Sequence, residues 1–245
     1  MNSLFRNMPP VTLNLLIINV LIWLLCSLVP SAGMSLDRLC GLHYFLSPDF
    51  KFWQPLTYMF MHANFSHLFF NMFGVIMFGS IIERVFGSAR YLLFYLTVGI
   101  GAAFIQEAVY AVWIGNLASS LPGGISLDSI ANGTLLHTQG VPPDTIMSLY
   151  RLINAPTVGA SGALFGVLLA FAMTFPNMPL YIMFIPVPVK AKWMVLGYGI
   201  LELFLGMTGL QQGVAHFAHL GGMIVALALI LYWRKRGEIN RGPLY

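Results

Sequence analysis

Ser161, the pair His67 and Asn71, and the pair His216 and His219 can do chemistry in an otherwise apolar chain. Ser161 stands in Thr157-Val158-Gly159-Ala160-Ser161-Gly162-Ala163-Leu164-Phe165-Gly166, at the head of an apolar run that Pro176 stops. A hydroxyl becomes a nucleophile beside a base, and neutral imidazole is the usual base near pH 7. An attacked carbonyl develops a negative oxygen, for which the Asn71 amide, the His67 ring and the Ser161 N–H are the available donors. His67 and Asn71 are four residues apart and share one helix face. Alone, a serine in an apolar helix usually bonds its own i−4 carbonyl, and a lone histidine or asparagine there is an interhelical hydrogen bond. The combination carries the reading.

These residues need helices to position them. Of the 245 residues, 58% are hydrophobic and 8% charged, against about 25% charged in a soluble domain. The chain therefore reads as an all-α polytopic membrane protein of six spans, about 11–29, 65–85, 91–114, 161–175, 193–207 and 214–233. The run from Ser161 to Phe175 makes a helix of about 22 Å, short of the roughly 30 Å hydrocarbon core. Ser161 then starts below the surface, reached by irregular backbone that a bilayer tolerates only against protein or a wet cavity. Residues 31–58 read as an interfacial loop and 115–157 as a long outer loop with a short helix near Ile146–Ile153. Residues 176–190, with Pro176, Pro179, Pro186 and Pro188, read as a stiff turn. The chain reads as one domain, 1–245. Arg6, the first apolar run and the Pro-Ser-Ala-Gly after it also fit a signal peptide, but the later spans work better with this helix retained.

Basic residues set the orientation. Nine lie on the side of the termini and three (Arg38, Lys51, Arg151) on the other, which puts both termini in the cytoplasm. His67, Ser161 and His219 then lie near the outer starts of the second, fourth and sixth spans. Gly162 and Gly166, facing Gly222 and Ala226, are small-xxx-small pairs that allow close helix approach. No Asp or Glu is expected at this depth, so the spacing predicts a Ser–His dyad rather than a triad. The +4 net charge sits in connecting segments, with no aromatic-basic motif for nucleic acid. Cys26 and Cys40 have no metal spacing, and His43 and His137 read as solvated.

These segments resemble the rhomboid family of intramembrane serine proteases. Gly159-Ala160-Ser161-Gly162 is similar to its Gly-x-Ser-x motif. His62, His67 and Asn71 resemble its His-x4-His-x3-Asn pattern, and Ala218-His219-Leu220-Gly221-Gly222 its sixth-helix motif, with Ala226 for the last glycine. Gly79, Glu83 and Gly87 are similar to a Gly-x3-Glu-x3-Gly read as structural. The resemblance implies a six-helix rhomboid-like bundle with a short central serine helix. It makes Ser161 the nucleophile, His219 the general base, and His67, Asn71 and the Ser161 amide the oxyanion site, with Gly159, Gly162, His62, Gly222, Phe165 and Trp53 in support. His216 is the rival base, but the glycine three residues beyond matches only His219. Departures are Gln54 where the family often has arginine, Phe165 where bacterial members often have tyrosine, and the long outer loop.

The reaction implied is hydrolysis of single-pass transmembrane protein substrates near the outer face of the lipid bilayer, without metal or cofactor. A compact chain of this kind points to a bacterial inner membrane. Two other classes remain open: an inactive rhomboid-like protein that binds membrane clients, and a proton-coupled transporter seeded by Glu107 and Glu202 inside spans. The first would be marked by loss of Ser161 or His219, both present. The second usually pairs its short helices across two halves, and only one occurs here. Oligomeric state is not written in the sequence.

Overall fold

A computed structural model describes residues 7–123, 125–135, 140–181, 187–209 and 213–239. His137, Pro186, Arg6 and Arg241 lie outside them. The helices are α1 (Pro10–Leu28), α2 (Pro30–Cys40), α3 (Gln54–Thr57), α4 (Phe65–Phe86), α5 (Ser88–Ser119), α6 (Leu127–Ala131), α7 (Pro143–Asn154), α8 (Ser161–Thr174), α9 (Ala191–Thr208) and α10 (His216–Arg236). The only strands among the described residues, β1 (Pro179–Leu180) and β2 (Val189–Lys190), pair antiparallel before α9. Helices α1, α4, α5 and α10 are long and apolar enough to cross a membrane. With α8 and α9 they form an all-α polytopic bundle of six. Their outer faces expose Leu21, Phe104, Ile200 and Leu231, the surface expected against lipid.

Helix α8 is the centre of the bundle. Ala163, Leu164, Ala172 and Gly166 lie on different sides of it and are all buried, the signature of a helix enclosed by others. It runs parallel to α10 and is tied to it at both ends. Ser161 meets His219 at the start, and Arg234 Nη2 donates to the Met173 carbonyl (2.9 Å) in the last turn. A cation there complements the negative end of the helix dipole.

The ends of α1 and α4 are joined by Glu83, which is buried. Its carboxylate accepts from the Val11 and Thr12 N–H groups (2.9 and 2.8 Å), the Thr12 hydroxyl (2.8 Å) and the Ser88 hydroxyl (2.6 Å). The first N–H groups of a helix have no intrahelical acceptor, and an anion at that end suits the dipole. Gly87 turns the chain from α4 into α5 with φ +79°.

Three expectations are corrected. Residues 31–40 of the supposed loop are helical: Pro30 ends α1 and opens α2 at its first position, where proline needs no hydrogen bond. Helix α5 runs to Ser119, about 48 Å at 1.5 Å per residue, so the outer connection begins at 120 rather than 115. The polar composition hides a second core: Ile130, Ile146, Leu149 and Ile153 pack with Ile114 and Tyr44. His43 is buried rather than solvated, at 2% exposure. Leu42 beside it forms a two-way backbone bridge with Thr157 (2.9 and 2.8 Å), which folds the first loop inward.

Gln54 closes that loop. It is buried, donates to the Arg38 and Asp49 carbonyls (3.1 and 2.8 Å) and accepts from the His43 N–H (3.1 Å). Trp53 Nε1 donates to the Leu39 carbonyl (2.9 Å). A neutral amide thus does the anchoring through one acceptor and two donors.

Glu83→Ala leaves four donors without their acceptor and is expected to cost about 3 kcal/mol, read as a lower unfolding midpoint in detergent. An unchanged midpoint would remove Glu83 from the account of how α1 is held. Gln54→Ala should cost about 2 kcal/mol and speed amide hydrogen exchange between residues 41 and 54. Exchange at the native rate would mean the loop is held by its other contacts, such as the Leu42–Thr157 bridge and Trp53, without Gln54.

Candidate active site

The chain approaches α8 in an extended path and turns sharply before it. Gly159 has φ +130°, which L side chains rarely adopt, and its N–H donates to the Tyr58 carbonyl (2.9 Å). A Cβ here would lie 2.7 Å from both Cε1 and Nε2 of His67. Only glycine lets the imidazole come this close to the backbone that presents Ser161. Ser161 is the first residue of α8, so its N–H and the next two have no intrahelical acceptor. They form a positive helix end beside the hydroxyl.

Across from it, Ser161 Oγ lies 2.7 Å from His219 Nε2. Removal of side chains makes this possible. A Cβ on Gly222 would overlap the Gly162 carbonyl; one on Gly162 would lie 2.9 Å from Ala102 Cβ and 3.1 Å from the Tyr58 hydroxyl. A Cβ on Gly166 would sit 3.0 Å from the Gly222 carbonyl and 3.1 Å from Ala226 Cβ. Phe165, one turn past Ser161, stacks flat on His219 with centroids 4.3 Å apart and planes at 4°. The ring limits the imidazole's rotation.

On α4, Asn64 caps the helix by accepting from the His67 N–H (2.9 Å). Asn71 is buried, and one amide N–H donates to the His67 carbonyl (3.0 Å), leaving the other N–H of the NH₂ for an incoming oxygen. His62 packs edge-on against the His67 ring, centroids 5.1 Å apart. Ser161, His219, Phe165, His67, Gly159, Gly162 and Gly222 are thus brought together. Trp53 is not: it stays in the first loop on the Leu39 carbonyl.

One expectation is overturned here. A carboxylate does reach this level: Glu202 Oε2 lies 3.0 Å from His219 Nδ1 and 2.6 Å from His216 Nδ1. Counting along α9 puts Glu202 in mid-helix, but its level relative to α10 depends on how far the two antiparallel helices overlap. Here the end of α9 overhangs the start of α10. The sequence signal was Gly199-x2-Glu202-x3-Gly206, three positions on one face. Cβ atoms on these glycines would lie 3.3 Å from Met223 Cε and 2.8 Å from Phe217 Cε2. Glu202, His216 and His219 offer ligand atoms within 4.8 Å of one another, yet Glu202 Oε2 is already hydrogen-bonded with His216 Nδ1. His216, the rival base, turns its Nδ1 to Glu202; His219 is the one whose Nε2 meets the serine.

Known proteins are similar to this chain in sequence. The chain is 28% identical to the Rhomboid protease AarA of Providencia stuartii over 236 residues, 90% of this chain and 72% of that protein. It is 28% identical to the Rhomboid protease GlpG of Haemophilus influenzae over 111 residues, 44% of this chain and 56% of that protein. With Rhomboid protein 1, mitochondrial, of Saccharomyces cerevisiae it shares 26% over 183 residues, 74% of this chain and 42% of that protein. A family model, the Rhomboid domain, matches residues 49–236, and the chain belongs to the rhomboid family of membrane proteins.

Proposed function

We propose that this chain is an intramembrane serine endopeptidase, with Ser161 as nucleophile and His219 as general base. The observation that carries the reading is the 2.7 Å approach of Ser161 Oγ to His219 Nε2 between two helices. Ser161 Oγ attacks a peptide carbonyl as its proton passes to His219 Nε2. The new oxyanion is held by the Ser161 N–H at the head of α8, the free Asn71 N–H and the His67 ring. Collapse expels the amine, which takes the proton from His219, and leaves an ester on Ser161. Water, deprotonated by the same nitrogen, releases the acid and restores the serine.

The substrate class is a transmembrane segment, single-pass proteins being the simplest, unwound near the outer face. A peptide must be extended for its carbonyl to reach a serine at the end of a helix. Small residues at the scissile bond and helix breakers after it suit that requirement. The basic-residue tally puts both termini on the cytoplasmic side, in a bacterial inner membrane, with water entering from outside. A client-binding protein would not need the serine and histidine in hydrogen-bond contact. A proton path would not need Glu202 tied to two histidines.

Detergent-solubilised protein should be labelled by a fluorophosphonate, with no labelling of Ser161→Ala. His219→Ala should slow labelling by about a thousandfold or more. Equal labelling of Ser161→Ala would sink the assignment.

A further inference from the structure

We propose that Glu202 is a positioning residue for His219, so that the site works as a Ser161–His219–Glu202 relay built from α8, α10 and α9. This deepens the protease reading and rests on it. The carboxylate sits in a segment where a charge is costly unless it is paired. Its partners are the Nδ1 atoms of His216 and His219, at 2.6 and 3.0 Å from the same oxygen. A carboxylate can only accept, so each Nδ1 next to it is favoured as the protonated nitrogen. For His219 that leaves Nε2 with its lone pair, the atom 2.7 Å from Ser161 Oγ. The tautomer that a general base requires is therefore the one Glu202 selects.

The bond to His219 is the looser of the two. In the resting geometry the Nδ1–H of His219 is not aimed at the oxygen, and the His216 bond is shorter. Alignment of such bonds commonly tightens once substrate is bound. As the Ser161 proton reaches Nε2, the imidazole gains a positive charge. Glu202 stays ionised and pairs with it, and the proton returns to the leaving amine with Glu202 unchanged. Nothing is consumed.

The backbone supports this placement. Gly199, Glu202 and Gly206 form one face of α9, and a Cβ on Gly206 would lie 3.2 Å from His216 Cβ. Elsewhere α9 buries little: its buried residues are Ala191, Met194, Val195 and Gly206. The polar contact to α10 thus sits one turn before Gly206, where a Cβ would crowd Phe217 and His216. The titratable groups around His219 are His216 on its own helix, Glu202 on α9 and His67 on α4. Helix α8 faces it with Ser161 and Phe165, and α5 meets this turn of α10 with Ala102 and Ile105.

The test uses the full chain in detergent, wild type beside Glu202→Gln and Glu202→Asp. Fluorophosphonate labelling rates are followed across pH, with cleavage of a reporter transmembrane segment. Glu202→Gln should lower kcat by about a hundredfold with KM little changed, since the lost interaction strengthens only as charge develops. Losing the anion also makes the imidazolium easier to deprotonate, so the acid limb of the rate profile moves to lower pH. Glu202→Asp should recover part of the rate.

A second measurement needs no variant. Nitrogen-15 shifts of the wild-type histidines should show His219 protonated at Nδ1 and bare at Nε2. The opposite tautomer, or Glu202→Gln with native kcat and acid limb, overturns the inference while Ser161 labelling still stands. Absence of Ser161 labelling in the wild type overturns the protease reading and this inference with it.

Discussion

Two helices inside a bilayer gain nothing by hiding apolar surface from water, because lipid chains are as apolar as leucine. What holds α8 against α10 is backbone proximity, and that depends on missing side chains. The Gly222 position touches the Gly162 carbonyl, and Gly166 meets the Gly222 carbonyl and Ala226. At this spacing many small dispersion contacts replace the hydrophobic effect, and a single added methyl would separate the helices. The 2.7 Å distance between Ser161 and His219 follows from that packing. So does the position of Phe165, which reaches over the imidazole because its helix is so near.

The second constraint is the cost of unsatisfied polar groups in a medium without water. The chain meets it at three levels. Glu83 fills the open donors at the start of α1, Gln54 gathers the ends of the first loop, and Arg234 covers a last-turn carbonyl of α8. Glu83 and Arg234 reach helix ends 71 and 61 residues away, whereas Gln54 acts within its own loop. The polar groups that could harm such a protein instead fix how its helices are joined, and the candidate site inherits its rigidity from them.

The six spans, the short serine helix and the residues around it were legible because hydrophobic length and small-residue spacing are local properties of the sequence. Ser161, Gly162, Gly166, Gly222 and His219 could be placed by counting turns. Three features could not. Helix α2 carries an interfacial composition that suits loop or helix equally. The core around Ile130, Ile146 and Leu149 is diluted by Ser, Thr and Asn until packing reveals it. His43 and Glu202 depend on relative shifts: one on how the first loop folds against Thr157, the other on where antiparallel α9 and α10 overlap. No spacing within one segment encodes those offsets.

The parallel pairing of α8 with α10 has a consequence for synthesis. Their contacting residues are separated by 58 positions. At about 5–20 residues per second, α8 waits several seconds for its partner. During that interval the ribosome-bound chain holds Ser161 without the His219 imidazole beside it. Its neighbours in the membrane, themselves new helices, are then exposed to a serine without a base. The pair forms only when α10 arrives, so the order of translation keeps the hydroxyl and the imidazole apart until both helices are in the membrane.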